Sequence, residues 1–511
     1  MILATSIASA VLRLAVVICL IAMMVILFSG LTEFTILDQQ FERWGIHSFL
    51  RLAAFLLILR LFLNSGRSLK TLRESNPLAA IFLIVTVFYF INGRIFTTGD
   101  TKPARYLPLS ILREADFDLD EFRNHFSVRP TNAIRLIHDH YVSDYPVGAP
   151  ILAVPFYTIS AIGPVESDNP LVAELEKLSG GLITAASVVM MYLVLSLLTT
   201  QKWSFFLSLI YALCTSNLSV VSQGLWQHGA SQLCILCALY CLLRGMRESL
   251  WIAPSGFFIT FAIVCRPNNL FLLAPVGIYV LLYHRREFIR FLLYSLPPVI
   301  FHFSYHWMYF NNPFRTQFAL PLLWKTPLLE GLSGILFSPA KGLFFYSPVL
   351  LFAFVGIVWI LRNREKCKEW PLFIALLMGL GCNLLIHSKW HKWWGGEMYG
   401  PRIISDLQPI WIIFLIPALA LIRKNRLSKA LFAAAVIWSF YTHLLGSVAF
   451  NTSWHVQNRS VPVPARFWKL ADGPVPYHTM QLVDRLNRTL EGVEHPGGRI
   501  KQSERRKRPN R

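Results

Sequence analysis

The run GAPILAVPFYTISAIG, from Gly148 to Gly163, is apolar enough for lipid but too short to cross it comfortably. Its sixteen residues include Pro150 and Pro155, whereas a helix needs ~20 to span a ~30 Å hydrocarbon core. The basic residues around it decide its placement. If residues 148–163 crossed, every later basic loop would change sides. Those loops hold Lys202; Arg244 and Arg247; Arg285, Arg286 and Arg290; Arg362, Arg364, Lys366 and Lys368; and Arg423, Lys424, Arg426 and Lys429. They agree in side with the earlier loop of Arg67, Lys70 and Arg73 only if 148–163 stays re-entrant or interfacial. The first opposite connection, with Glu33, Asp38, Glu42 and Arg43, has the complementary bias.

Composition sets the class. With 54% hydrophobic, 14% aromatic and only 15% charged residues, the chain reads as an all-α polytopic membrane protein. Spans are expected near 7–29, 46–64 and 78–96, then near 176–199, 203–222, 228–244, 250–265, 269–284, 290–310, 343–361, 370–387, 404–422 and 428–448. That makes about 13 transmembrane helices, N-terminus inside and C-terminus outside. The first run is too long, and too soon followed by others, for a cleaved leader. The net charge of +20 follows from the loop bases, so no nucleic-acid partner is expected. The eight cysteines lie mostly in apolar runs and define no disulfide framework. Four regions result: three helices over 1–96, an outer loop over 97–177, a bundle over 178–448 with outer loops 311–342 and 387–403, and a polar, basic tail over 449–511. The tail's cluster Glu504–Arg508 is of the kind that prefers the cytoplasm.

Chemistry, if present, belongs to the outer loops. Thr97–Val147 holds eight of the chain's 28 acidic residues. Asp100 is best placed as a general base: it follows Gly99 near a span end, with Lys102 and Arg105 to keep it ionised or to bind an anion. Asp144, beside Tyr145-Pro146, is the substitute. Asp116, Asp118 and Asp120 alternate as in a surface turn or a divalent-cation site. His138-Asp139-His140 has ligand-type residues, but three adjacent positions cannot all face one metal on a helix. Lys341, Arg266 and Arg402 lie in separate outer connections. They either snorkel to the interface or converge on an anion. Trp390, Trp393 and Trp394 are either belt residues or sugar-stacking surfaces, and Gln227-His228 adds a polar pair at a helix start.

These residues carry a resemblance. Gly99-Asp100-Thr101 with Tyr106-Leu107, followed by Tyr145-Pro146-x-Gly148-x-Pro150, resembles the polytopic GT-C glycosyltransferases. The branch it looks most like contains the dolichyl-phosphate-mannose protein mannosyltransferases and the lipid A aminoarabinose transferases. SPAKGLFFYSP (338–348) and WWGGEMYGPR (393–402) look like runs of uncharacterised bacterial members. The resemblance spans residues 78–422. It implies a GT-C-like bundle in a bacterial inner membrane, moving a sugar from a polyprenyl-phosphate donor to a glycan, lipid or protein acceptor. The transfer would take place on the extracytoplasmic face, with inversion at the sugar. It implies Asp100 as base. The outer-loop bases place the donor phosphate on Lys341 and Arg402, helped by Arg105 or Arg266, with Tyr106, His138, Tyr145, His228, Trp393, Trp394 and Glu397 expected as sugar or acceptor contacts. The prenyl tail is expected beside the spans near 343–361 and 404–422. Thr101 stands where the family commonly has a second acid, which removes the paired-acid motif for a metal at that position; no cofactor is expected, and a divalent cation stays open without support from such a pair. Two spans before the loop are additional to the usual arrangement. The alternative is a transporter or flippase of lipid-linked substrates, which would show midplane polar breaks and internal symmetry; no repeat is visible.

Overall fold

The computed structural model describes residues 2–490 except 30–34, 37–38, 41–45, 65–75, 97, 129–130, 164, 167 and 315–322. The loop of Glu33, Asp38, Glu42 and Arg43, the loop of Arg67, Lys70 and Arg73, and the cluster at 504–508 lie outside the described residues.

The protein is helical. Five helices among the described residues are long and apolar enough to cross a membrane: Val11–Ser29, Pro170–Leu198, Trp370–Lys389, Arg402–Ile422 and Arg426–Ala449. Gln201–Leu213 and Ser216–Gln223 form a sixth candidate, bent by 43°. The count of thirteen is therefore not reproduced by helix length alone. The remaining expected spans are shorter, more polar or interrupted. Pro348, for example, divides 343–361 into Leu343–Tyr346, Pro348–Leu351 and Phe352–Arg362, because proline supplies no N–H and blocks the preceding turn.

The elements that build the site are named here in chain order: α1 (Ile2–Ser29), α2 (Lys102–Arg113), α3 (Gly148–Ile162), α4 (Pro170–Leu198), α5 (Gln227–Gly245), α6 (Ile252–Cys265), α7 (Leu270–Tyr283), α8 (Arg285–Phe310), α9 (Trp370–Lys389) and α10 (Arg426–Ala449). The 148–163 run forms α3, one unbroken helix of 15 residues, ~22 Å long at 1.5 Å per residue. Its start meets the end of α6: a Cβ on Gly148 would lie 2.7 Å from the Cys265 backbone, so only glycine permits the approach. Its far end meets the end of α1, where Ser160 Oγ donates to Leu27 O at 2.7 Å. Arg113, at the end of α2, donates to the carbonyls of Ala161 and Val165, so α2 and α3 lie side by side.

The loop also folds a hairpin, Ile134–Ile137 with His140–Ser143, in antiparallel register from Ile134↔Ser143 to Ile137↔His140. Its two-residue tip, His138-Asp139, has positive φ at both positions, as tight hairpin turns require. The region read as a polar tail is in part a folded cap. Trp454 and Phe467 are buried, Trp454 Nε1 donates to Asp472 O at 2.6 Å, and the helix Pro474–Leu490 packs against α10.

Candidate functional site

Six of the expected residues converge on one polar cavity of about 460 Å³: Asp100, Asp144, Tyr145, His228, Arg266 and Arg402. They come from different places in the chain. Gly99-Asp100-Thr101 turns into α2, with Lys102 N donating to Gly99 O and the Thr98 and Thr101 hydroxyls in contact. Asp144 and Tyr145 leave the hairpin. His228 opens α5, Arg266 occupies the break between α6 and α7, and Arg402 closes the 390–401 loop.

Each carboxylate at the cavity has an arginine partner. Arg402 Nη1 donates to Asp100 Oδ2 at 3.0 Å, and Arg135 lies 2.8 Å from Asp144. Arg266 pairs with Asp406. Burial alone would raise the Asp100 pKa. The Arg402 charge and hydrogen bond, a hydrogen bond with Tyr145 and the Lys392 charge outweigh it and hold the carboxyl below its ordinary value. Burial and the Asp100 charge push the Tyr145 phenol upward, so it serves as a donor.

Arg402 is held in place. Its Nε and Nη2 donate to Gly395 O at 3.1 and 2.6 Å, and its guanidinium sits 4.5 Å from the Trp226 ring centroid, a cation–π distance. Gly395 and Gly396 have φ of 71° and 77°. A Cβ there would strain the turn that presents the carbonyl.

The cavity floor is a network that sequence reading missed. Asp406 Oδ2 lies 3.2 Å from His228 Nδ1, so an Nδ1–H donates to the carboxylate and leaves Nε2 as the acceptor. Arg266 Nη2 donates to Ile403 O at 2.7 Å and meets His387 Nε2 at 3.2 Å. His387 Nδ1 lies 2.7 Å from Asn383 O and Asn268 Nδ2 2.9 Å from His387 Nε2; an Nδ1–H tautomer satisfies all three contacts. The available signal was an ionisable residue, Asp406, inside the run expected to span 404–422.

Seven expected residues do not line the cavity. Lys341 is buried behind the 395–398 turn, its Nζ donating to Gly396 O at 3.0 Å and to Met398 O. Burial, with Arg402 and Arg466 nearby, lowers its pKa far below the ordinary lysine value. Arg105 Nε donates to Glu176 Oε2 at 2.7 Å, tying α2 to α4. Tyr106 packs among Phe122, His125 and Phe126, and His138 meets Asn311 at the hairpin tip. Trp393 donates to Glu330, Trp394 packs at a tilt against Phe467, and Glu397 pairs with Arg459. Asp118, Asp120 and His140 approach within 4.8 Å of one another. The same groups close the hairpin: Asp120 accepts from Tyr141 N and meets His140 Nδ1, both at 2.7 Å.

An apolar groove of about 420 Å³ adjoins the polar cavity and shares Asp144 and Tyr145 with it. Val147, Ile263, Leu270, Leu273, Phe301 and Tyr305 form much of its wall. Pro297 and Pro298 interrupt the α8 hydrogen-bond ladder beside it. It runs along α6, α7 and α8, and no residue of 343–361 or 404–422 lines it. No family model, curated protein or solved structure matches this chain.

Proposed function

We propose that the protein is a membrane glycosyltransferase that uses a polyprenyl-phosphate-linked sugar on the extracytoplasmic face of a bacterial plasma membrane. The observation that supports this reading is the junction at Asp144 and Tyr145, where a cavity of paired carboxylates and guanidiniums meets a groove of prenyl-compatible character. An amphiphile with an anionic centre fits such a junction. Its chain takes the groove, its phosphate faces Arg402, Lys392 and Arg266, and its sugar lies towards Asp100. The motifs resembling GT-C enzymes point the same way. In this reading α3 lies in the interface, because both its ends meet helix ends on the cavity side, and about thirteen segments cross.

The step balances simply. The acceptor O–H (or N–H) attacks the anomeric carbon as the bond from that carbon to the phosphate oxygen breaks. The electron pair leaves with the lipid phosphate, the proton goes to Asp100, and the sugar inverts. Arg402 contributes twice. It holds Asp100 ionised before the donor arrives, and it faces the charge that grows on the leaving phosphate in a site of restricted solvation. A phosphate drawing on Arg402 would loosen its hold on Asp100 and raise that carboxylate's basicity when it is needed. Assaying wild type and Asp100→Asn in proteoliposomes against a panel of polyprenyl-phosphate sugars tests the reading. Transfer with at least one donor in wild type and its loss in the variant are expected. Equal transfer by both refutes the role of Asp100.

A further inference from the structure

A second cavity, of about 420 Å³, lies at the other ends of the helices that carry the first. Helix α5 begins at the polar cavity with Gln227 and His228 and ends with Leu243, Met246 and Arg247 at the second. Helix α9 runs the opposite way, from Glu369 and Pro371 at the second cavity to His387 at the first. These helices have 19 and 20 residues, giving ~28–30 Å at 1.5 Å per residue, the thickness of a hydrocarbon core. The two cavities therefore stand one bilayer apart, each at an interface.

The second cavity is built for an anion with a tail. Arg247 and Lys368 line it and have no ion-pair partner among the described residues, whereas the nearby Arg244 and Arg290 are engaged by Glu248 and Glu287. Arg285 and Arg286 follow His284 directly at its edge. Glu369 is the one acid in the lining, and its carboxylate accepts from the Cys367 thiol at 3.8 Å. Tyr279 and Tyr283 stack with centroids 5.7 Å apart, and the Tyr279 hydroxyl meets His284 Nε2 at 2.8 Å, supplying the amphipathic ring surface typical of headgroup depth. Leu197, Leu243 and Met246 supply apolar lining to the same cavity.

We infer that this cavity binds the head group of an anionic phospholipid from the leaflet opposite the polar cavity. The phosphodiester faces Arg247 and Lys368, and an acyl chain follows Leu197 and Leu243. Basic pockets between transmembrane helices are suited to such head groups. This site is separate from the proposed transfer chemistry and stands or falls without it.

Lipid binding to the full-length protein in detergent, read by native mass spectrometry and thermal melting, tests the inference. Phosphatidylglycerol is expected to remain bound and to raise the melting temperature, whereas phosphatidylcholine and inorganic phosphate do neither. Each juxtamembrane base contributes about a fivefold factor in affinity. Arg247→Gln with Lys368→Gln should therefore weaken phosphatidylglycerol binding by about tenfold or more. Lys424→Gln with Lys429→Gln, in another basic loop of the same face, should leave it unchanged. Equal binding of both lipids, equal protection by inorganic phosphate, or equal loss in the two double variants would each overturn the site.

Discussion

Replacing Asp100 with asparagine removes the carboxylate while keeping the side-chain volume, and the structure makes two opposite effects calculable. Loss of a general base lowers the chemical rate by ~10²–10⁴-fold, about 2.7–5.5 kcal/mol of barrier. The same change releases Arg402 from its 3.0 Å contact. With side-chain exposures of 13% for Arg402 and 38% for Asp100, that ion pair is solvent-screened and contributes about 1 kcal/mol. A donor phosphate no longer competes for Arg402, so donor binding should tighten by about fivefold. The expected signature is a large fall in turnover with a modest fall in the donor Kd. Turnover is read from proteoliposome transfer and Kd from displacement of a fluorescent polyprenyl phosphate. Turnover within tenfold of wild type, or donor binding that collapses together with the rate, would refute the reasoning.

Four further outcomes follow from the same geometry. Arg402→Gln should move the acid limb of the kcat/KM pH profile upward: Asp100 is active when ionised, its pKa is held down chiefly by Arg402 against burial, and removing that charge lets burial prevail. Glu121→Gln should raise the melting temperature at pH 8 and give no gain at pH 4, because burial raises the Glu121 pKa to about 7, so the folded state favours its protonated form and loses stability as pH climbs towards 7. Gly148→Ala should cost about 1–3 kcal/mol by overpacking, since its Cβ would meet the Cys265 backbone at 2.7 Å, with a lower melting temperature as the readout. Lys392→Cys and Arg426→Cys should label from opposite sides of intact membranes; labelling from the same side would overturn the membrane orientation.

Charge placement made part of the site legible. Asp100, Arg266 and Arg402 stand out because ionisable groups beside apolar runs must be solvated or paired, Tyr145 stands out only through its Tyr-Pro motif, and the structure brings the four to one cavity. Lys341 gave the same signal but is satisfied by the Gly396 and Met398 carbonyls, a partnership that depends on a turn set by Gly395 and Gly396. Trp393 and Trp394 read as belt residues or sugar surfaces because hydropathy could not show that Phe467 would fold back onto them. Asp406 was hidden inside an apolar stretch, where its partners Arg266 and His228 are more than 100 positions away. The reading of 148–163 as re-entrant or interfacial rests on its length, its two prolines and the loop charges; the structure shows a single helix there whose ends meet those of α1 and α6. The 43° bend between Gln201–Leu213 and Ser216–Gln223 was not foreseen, because the run reads as one apolar span.

The most direct test of the central claim follows the lipid rather than the sugar. Purified protein in proteoliposomes is given a polyprenyl-phosphate sugar with an acceptor, and the lipid products are identified by mass spectrometry in both leaflets. Transferase chemistry predicts one free polyprenyl phosphate for each sugar moved, with none formed by the Asp100→Asn variant. Recovery of an intact sugar-bearing lipid in the opposite leaflet, without free polyprenyl phosphate, would show transport in place of transfer and contradict the account.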